Sequence, residues 1–342
     1  MKQQKRLRRR HIIFIGIGLL LIAAAITLLF ILRNPASTPS AYVTIGGEQH
    51  SIIDTTGLVT EIGALNDIAA LAQLNNLEEL TLLPDFDGDE MSYAETAALM
   101  DALTDMPNLR ELNLIALPID DISSLAVLNN LTRLEISHTN ISDINAIASM
   151  PLLEVLILND NLITDIAPLS ELENLQVLAL IRNDITDLSP LAGMANLTEL
   201  EIAYNPNLND ISALTEMISL RELNFAETAV SDLSPLSHLE NLERIALDNA
   251  NVQDLSALAY LTKLTHLFLN HNAIDDLTAL QGLYNLFELW LYDNRITDIE
   301  PLAEIFQLRM LELGSNPIED WSYLAHLYET MINPMSEPGY SE

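Results

Sequence analysis

Cysteine is absent from this 342-residue chain, aromatic residues supply only 5% of it, and basic residues nearly vanish after position 33. The first absence excludes disulfides, even in a compartment that would permit them. Together with only seven scattered histidines, it leaves no catalytic constellation. No phosphate-binding glycine loop, nucleophile elbow or H-E-x-x-H occurs, so the chain reads as a non-enzyme without cofactors. Seven of the fifteen Lys and Arg precede residue 34, leaving eight against all forty-nine acids, a net charge near −41 for the remainder. That balance opposes binding to nucleic acid or to an anionic membrane surface.

What the chain has in abundance is leucine at a fixed interval. The pattern L-x-x-L-x-L, with occasional Ile or Phe, starts at Leu77, Leu109, Leu131, Leu153, Leu175, Leu197, Leu220, Leu242, Leu264, Leu286 and Leu308. The interval is 22 residues except for one gap of 32 and one of 23. A repeat of this length marks a unit of one short strand, a turn and a return segment. One unit cannot close a core, so units stack and their strands form a parallel sheet. The expected fold is an α/β solenoid of leucine-rich repeats, with the parallel sheet on the concave face and 3-10 or short helical turns on the convex face. A hydrophobic content of 49% with few aromatics fits a core of Leu, Ile and Ala.

The N-terminus has a different character. Residues 1–11 carry six Lys or Arg and no acid, and an uncharged apolar run follows from Ile12 to Leu32. A helix of that length covers roughly 30 Å, one hydrocarbon core. The run is too long for a signal-peptide core of about 7–15 residues, and only a poor cleavage site lies near Ala41. The sequence therefore predicts an uncleaved signal anchor over 12–32, a single pass of the cell membrane, with the N-terminus cytoplasmic and the repeats extracellular. A Pro/Ser-rich linker spans 33–41. Residues 42–66 read as an N-terminal cap that contains a hairpin around Gly46-Gly47, although repeat-like spacing already starts near residue 58. Repeats fill 67–328, with an insertion over about 83–106 that ends in a helix from about Met91 to Met106. Trp321, Leu324 and Leu327 suit a C-terminal cap, and 329–342 reads as a tail.

Well-preserved units such as L-E-V-L-I-L-N-D-N-L-I-T-D-I-A-P-L from Leu153 and L-Q-V-L-A-L-I-R-N-D-I-T-D-L-S-P-L from Leu175 resemble the 22-residue repeats of bacterial internalins and their relatives. The likeness covers about 58–328. It implies a curved sheet inside, 3-10 turns outside, and recognition of a protein or peptide on the concave face. The missing cysteines agree with a bacterial source, since many eukaryotic extracellular repeat proteins carry disulfide-bonded caps. Three departures stand out: no C-terminal immunoglobulin-like domain, no LPxTG-type signal, and a hairpin in place of a helical cap. A host-invasion role is therefore not carried over.

Two repeated polar positions read as structural. Asn recurs at 161, 183, 205, 272, 294 and 316, where donor and acceptor together can satisfy the backbone leaving the sheet. Asp recurs four residues on, from Asp121 and Asp143 to Asp298 and Asp320, where it can cap the following turn. In the insertion, Asp85, Asp87 and Asp89 alternate as in a calcium loop. However, Gly88 falls at the fourth position and Thr96 at the twelfth, so a solvated acidic loop is the leading reading and calcium the alternative.

Concave positions differ between units, and many are acidic: Glu79, Glu111, Glu135, Glu199, Glu201, Glu222, Glu288 and Glu312. Two stretches break that pattern. Val155, Ile157, Val177, Ala179 and Ile181 form an apolar patch. His266, Phe268, Asn270 and His271 align with Glu288, Trp290, Tyr292 and Asp293 of the next unit. In a chain so poor in aromatics, exposed rings side by side point to a binding hot spot. The two histidines lack a zinc-type partner set. The sequence thus predicts a membrane-anchored binder of a protein or peptide ligand. The alternative is an acidic structural spacer or self-associating surface component.

Overall fold

The computed structural model describes residues 42–45, 48–51, 54–62, 65–85 and 91–325. The anchor expected over 12–32, the 33–41 linker, the Gly46-Gly47 turn, most of the acidic loop, Leu327 and the 329–342 tail lie outside them. Among the described residues no helix is long and apolar enough to cross a membrane.

The fold is a leucine-rich repeat solenoid. Twelve strands, β3 (Gly57–Ile62) to β14 (Met310–Glu312), form one sheet in strict chain order, and each pairs in parallel with the next. The earlier members include β4 (Glu79–Pro84), β5 (Glu111–Ile115) and β6 (Arg133–Ser137). From β7 (Val155–Ile157) onward each strand has only three residues: β8 (Val177–Ala179), β9 (Glu199–Glu201), β10 (Glu222–Asn224), β11 (Arg244–Ala246), β12 (His266–Phe268) and β13 (Glu288–Trp290). The middle leucine or isoleucine of each motif registers with the next, as Leu223 with Ile245 and Leu267 with Leu289. These residues are buried, and each contributes roughly 2 kcal/mol through burial.

Opposite the strands runs a row of 3-10 turns from Ser123–Val127 to Ser322–Leu324. A β-ladder fixes its spacing near 4.8 Å, and in solenoids of this class the stacked sheet lines the concave side. In the 32-residue unit this place is taken by an α-helix. Helix α1 (Leu65–Leu71) and helix α2 (Tyr93–Thr104) pack side by side, and α2 packs on the first 3-10 turn. The start of α2 is fixed by a capping box: the Ser92 backbone N–H donates to Glu95 (2.7 Å), and the Glu95 N–H donates to Ser92 Oγ (3.3 Å). The N-terminal end is covered by the antiparallel pair β1 (Tyr42–Ile45) and β2 (Glu48–Ser51), which packs on α1 with Val43 and Ile45 buried. At the other end Leu324 is buried and Trp321 half-buried against the last unit.

The repeated asparagines close the turn that leaves the sheet. Asn205, wholly buried, donates from Nδ2 to Leu180 O (3.0 Å) and Ile202 O (2.8 Å) and accepts the Ile185 N–H (2.9 Å). Asn183, Asn272, Asn294 and Asn316 repeat this arrangement. The aspartates act as expected: Oδ1 of each, from Asp121 to Asp320, accepts the N–H two residues on at 2.8–2.9 Å, which starts the 3-10 turn.

From β5 onward, one to three residues past each strand, the chain carries a left-handed residue that is never glycine. Ala116, His138, Asp160, Arg182, Tyr204, Glu227, Asn249, His271, Asp293 and Ser315 all have φ between 54° and 59°. Their shared backbone conformation aims successive side chains along one edge, where they pair. Asp160 faces His138 (3.5 Å) and Arg182 (3.6 Å), and the Arg182 guanidinium sits 4.6 Å from the Tyr204 ring centroid. Asn249 donates to Glu227 (2.8 Å).

Candidate recognition surface

Three zones succeed one another along the concave sheet. Strands β7 and β8 carry the apolar patch: Val155 registers with Val177 and Ile157 with Ala179. Val155, Ile157, Val177 and Ile181 are half-buried, and Ala179 is buried. The Ile181 N–H is held by Asn159 Oδ1 at 2.8 Å, a contact two residues past the strands.

An acidic zone follows on β9 and β10. Glu199 and Glu222 are in register, and Glu201 accepts from Asn224 Nδ2 at 2.6 Å. Burial, with Glu222 opposite, raises the Glu199 carboxyl above its ordinary range. Burial pushes Glu201 further, to about 7, and the charges of Glu199 and Glu222 add to the rise against the Asn224 bond.

The aromatic zone occupies β12 and β13. Phe268 and Trp290 are register partners, with ring centroids 5.2 Å apart and planes at 87°. Phe268 also lies 6.5 Å from His266, which lies 6.1 Å from Phe287, so the rings form a band from the sheet centre to its entry edge. Exposure within the band is uneven. Phe268, expected at the surface, is only 7% exposed, because Trp290 abuts its ring and the Arg244 guanidinium lies 4.6 Å from its centroid. Trp290 and Tyr292 are 38% and 40% exposed.

Several neighbours are already partnered. Asn270 accepts the Tyr292 N–H (2.8 Å) and donates its own N–H to Asp248 (2.7 Å), so it extends the sheet. His271 and Asp293 pair at 2.9 Å, and the His271 ring meets Tyr292 edge-on at 5.4 Å. Glu312, in register with Trp290, accepts the Gly314 N–H at 2.8 Å. A Cβ at Gly314 would stand 2.9 Å from Glu312 Oε1 and 3.0 Å from the Tyr292 ring, so this glycine lets ring and carboxylate close in.

Arg244, Phe287, Glu312 and Gly314 thus belong to the zone although sequence reasoning did not single them out as site residues. Alignment of units would have placed Arg244 one strand before His266, but a close approach at Gly314 leaves no sequence mark. Glu135, read as a concave surface acid, is buried between its strand neighbours, and burial raises its carboxyl despite Arg133 3.6 Å away. Among the described residues no group of three or more His, Asp or Glu is arranged to hold a metal ion.

The family model for leucine-rich repeats in two copies matches residues 129–171, 173–216 and 262–304. The crystal structure of the internalin inlF from Listeria monocytogenes is 30% identical with a TM-score of 0.60, over 69% of this chain and 76% of that one. The chain belongs to the bacterial leucine-rich repeat proteins with internalin-like repeats. Two more distant structures share the fold of this internalin-like protein. A leucine-rich repeat protein of Leptospira interrogans is 20% identical with a TM-score of 0.65, over 83% of this chain and 86% of that one. The functional domain of InlJ from Listeria monocytogenes is 19% identical with a TM-score of 0.66, over 82% of this chain and 58% of that one. No curated protein matches this internalin-like chain.

Proposed function

We propose that this protein is a binding scaffold, not an enzyme, anchored in the cell membrane through residues 12–32, with its solenoid outside. It takes a protein or peptide ligand on the concave face. Solenoids of this class offer an extended concave surface for recognition, and leucine-rich repeats generally mediate protein binding. The observation that carries the reading is the aromatic zone: Trp290 at the end of β13 and Tyr292 just past it stay well exposed, Trp290 against a buried and braced Phe268 and Tyr292 against His271. Exposed Trp and Tyr on a rigid base are what hot spots use.

A photoreactive amino acid in place of Trp290 tests this in intact cells of the source. A discrete cross-linked partner is expected from position 290 and none from position 260, where exposed Tyr260 follows a 3-10 turn on the outer row. Equal labelling from both positions, or none from 290, would reject the site. Cross-linking to another copy of the chain would favour the second reading, a self-associating surface component.

A further inference from the structure

The aromatic zone has the chemistry of a cation receptor, and the chain uses the same chemistry internally. Two of its few cations lie over rings: Arg182 over Tyr204 and Arg244 over Phe268, each at 4.6 Å. In both cases the arginine comes from the unit before the ring. Trp290 and Tyr292 have no Lys or Arg over them among the described residues, although both rings are exposed. The preceding unit offers them Phe268 and His271 instead, each meeting its ring edge-on.

Carboxylates surround these open rings. Glu312 is registered opposite Trp290 and held by the Gly314 N–H, with its Oε1 and the Tyr292 ring converging on the same glycine. Glu288 lies on the same strand as Trp290, and Asp293 follows Tyr292. A ring face beside a fixed carboxylate attracts a cation twice, through the ring quadrupole and through direct charge. An anionic partner would meet repulsion both here and from the Glu199–Glu222 zone, which lies beyond β11 and β12 on the same sheet.

We infer that the Trp290–Tyr292–Glu312 cradle receives an arginine or lysine side chain from a basic segment of the partner protein. This rests on the concave-face reading and names the partner's chemistry. The guanidinium or ammonium would lie on the open side of Trp290 with Glu312 as its counter-charge. The acidic zone on β9 and β10 would favour further basic residues along the same segment.

The test is calorimetric titration of the full chain, at about 0.15 M sodium chloride, with an acetylated, amidated Ser-Arg repeat peptide and its Ser-Gln counterpart. The arginine peptide should bind and the glutamine peptide should not. Trp290→Leu and Glu312→Gln should each weaken binding roughly 5-fold. Glu227→Gln removes an equal charge at the sheet edge and should change affinity less than about 2-fold. Unchanged melting temperatures would show that each variant folds. Equal binding of the two peptides, no binding of either, or equal weakening by Glu227→Gln and Glu312→Gln would overturn the inference. None of these results touches the cross-link from position 290, so the concave-face reading stands or falls separately.

Discussion

The Phe268 ring is buried against Trp290, edge to face at 5.2 Å, while the indole itself stays 38% exposed. The two residues look equivalent in the repeat but should behave differently on truncation. Phe268→Ala removes a buried ring and the seat of Arg244, and should cost about 3 kcal/mol or more of stability. Trp290→Ala should cost the fold less than about 1 kcal/mol yet weaken partner capture by about 2 kcal/mol or more. Urea denaturation beside partner capture separates the two effects. Equal destabilisation by both variants would make the whole band core.

The asparagine ladder should be costly to remove at its most buried rung. Asn205→Ala strands the Ile185 N–H and the Ile202 carbonyl in a dry interior, where unmet polar groups cost about 1–3 kcal/mol each. A loss of about 2–4 kcal/mol is expected in denaturant melts. Asn205→Thr should lose less, since Thr228 already fills this position by donating to Phe225 O at 2.7 Å and accepting the Val230 N–H at 3.4 Å. A Thr variant no better than the Ala variant would show that the second amide hydrogen is indispensable.

Leucine spacing made the solenoid, its register and both polar ladders readable, because an inward side chain at a fixed interval has one place to go. A second asparagine ladder was equally present in the sequence as Asn-Leu pairs. Asn108, Asn130, Asn174, Asn196, Asn241 and Asn285 each donate to a carbonyl of the previous unit at 2.8–3.1 Å, bracing the entry to the strands. The site was only partly legible. Spacing placed Phe268 beside Trp290, but it could not show which ring covers the other. Burial of Glu135 and the left-handed edge also escaped, because both depend on how neighbouring units converge, and no motif encodes that.

That left-handed edge is open to stabilisation. Ala116 holds φ at 57° with no polar side chain to compensate. A Cβ in this region costs roughly 1–2 kcal/mol, partly offset by the extra freedom glycine gains when unfolded. Ala116→Gly should raise stability by about 0.5–1 kcal/mol, read as a higher denaturant midpoint. Asn249→Gly should gain less, because Asn tolerates the conformation and would lose its bond to Glu227. A lower midpoint for Ala116→Gly would mean that the methyl group packs usefully.

The acidic zone should make the protein more stable in mild acid than at neutral pH. Burial, aided by Glu199 and Glu222, raises Glu201 from 4.5 to about 7, so the folded state holds this proton more tightly than the unfolded chain. Ionising it therefore costs stability above about pH 7, and that cost is progressively relieved as pH falls toward 4.5. Glu135, Glu199 and Asp248 are also raised, chiefly by burial, and act in the same direction. The turn-starting aspartates oppose this only in stronger acid: Asp121, Asp210 and Asp232 are lowered from 3.8 by the N–H bonds they accept, so their contribution is lost below that value. The melting temperature should thus climb from pH 7.5 to about pH 5 and fall again in stronger acid. Glu201→Gln fixes the neutral state and can still accept from Asn224. It should add about 1–3 kcal/mol at pH 7.5 and almost nothing near pH 5. A wild-type melting temperature that only falls on acidification, or a gain from Glu201→Gln equal at both pH values, would show that the buried carboxylate is not what couples this sheet to protons.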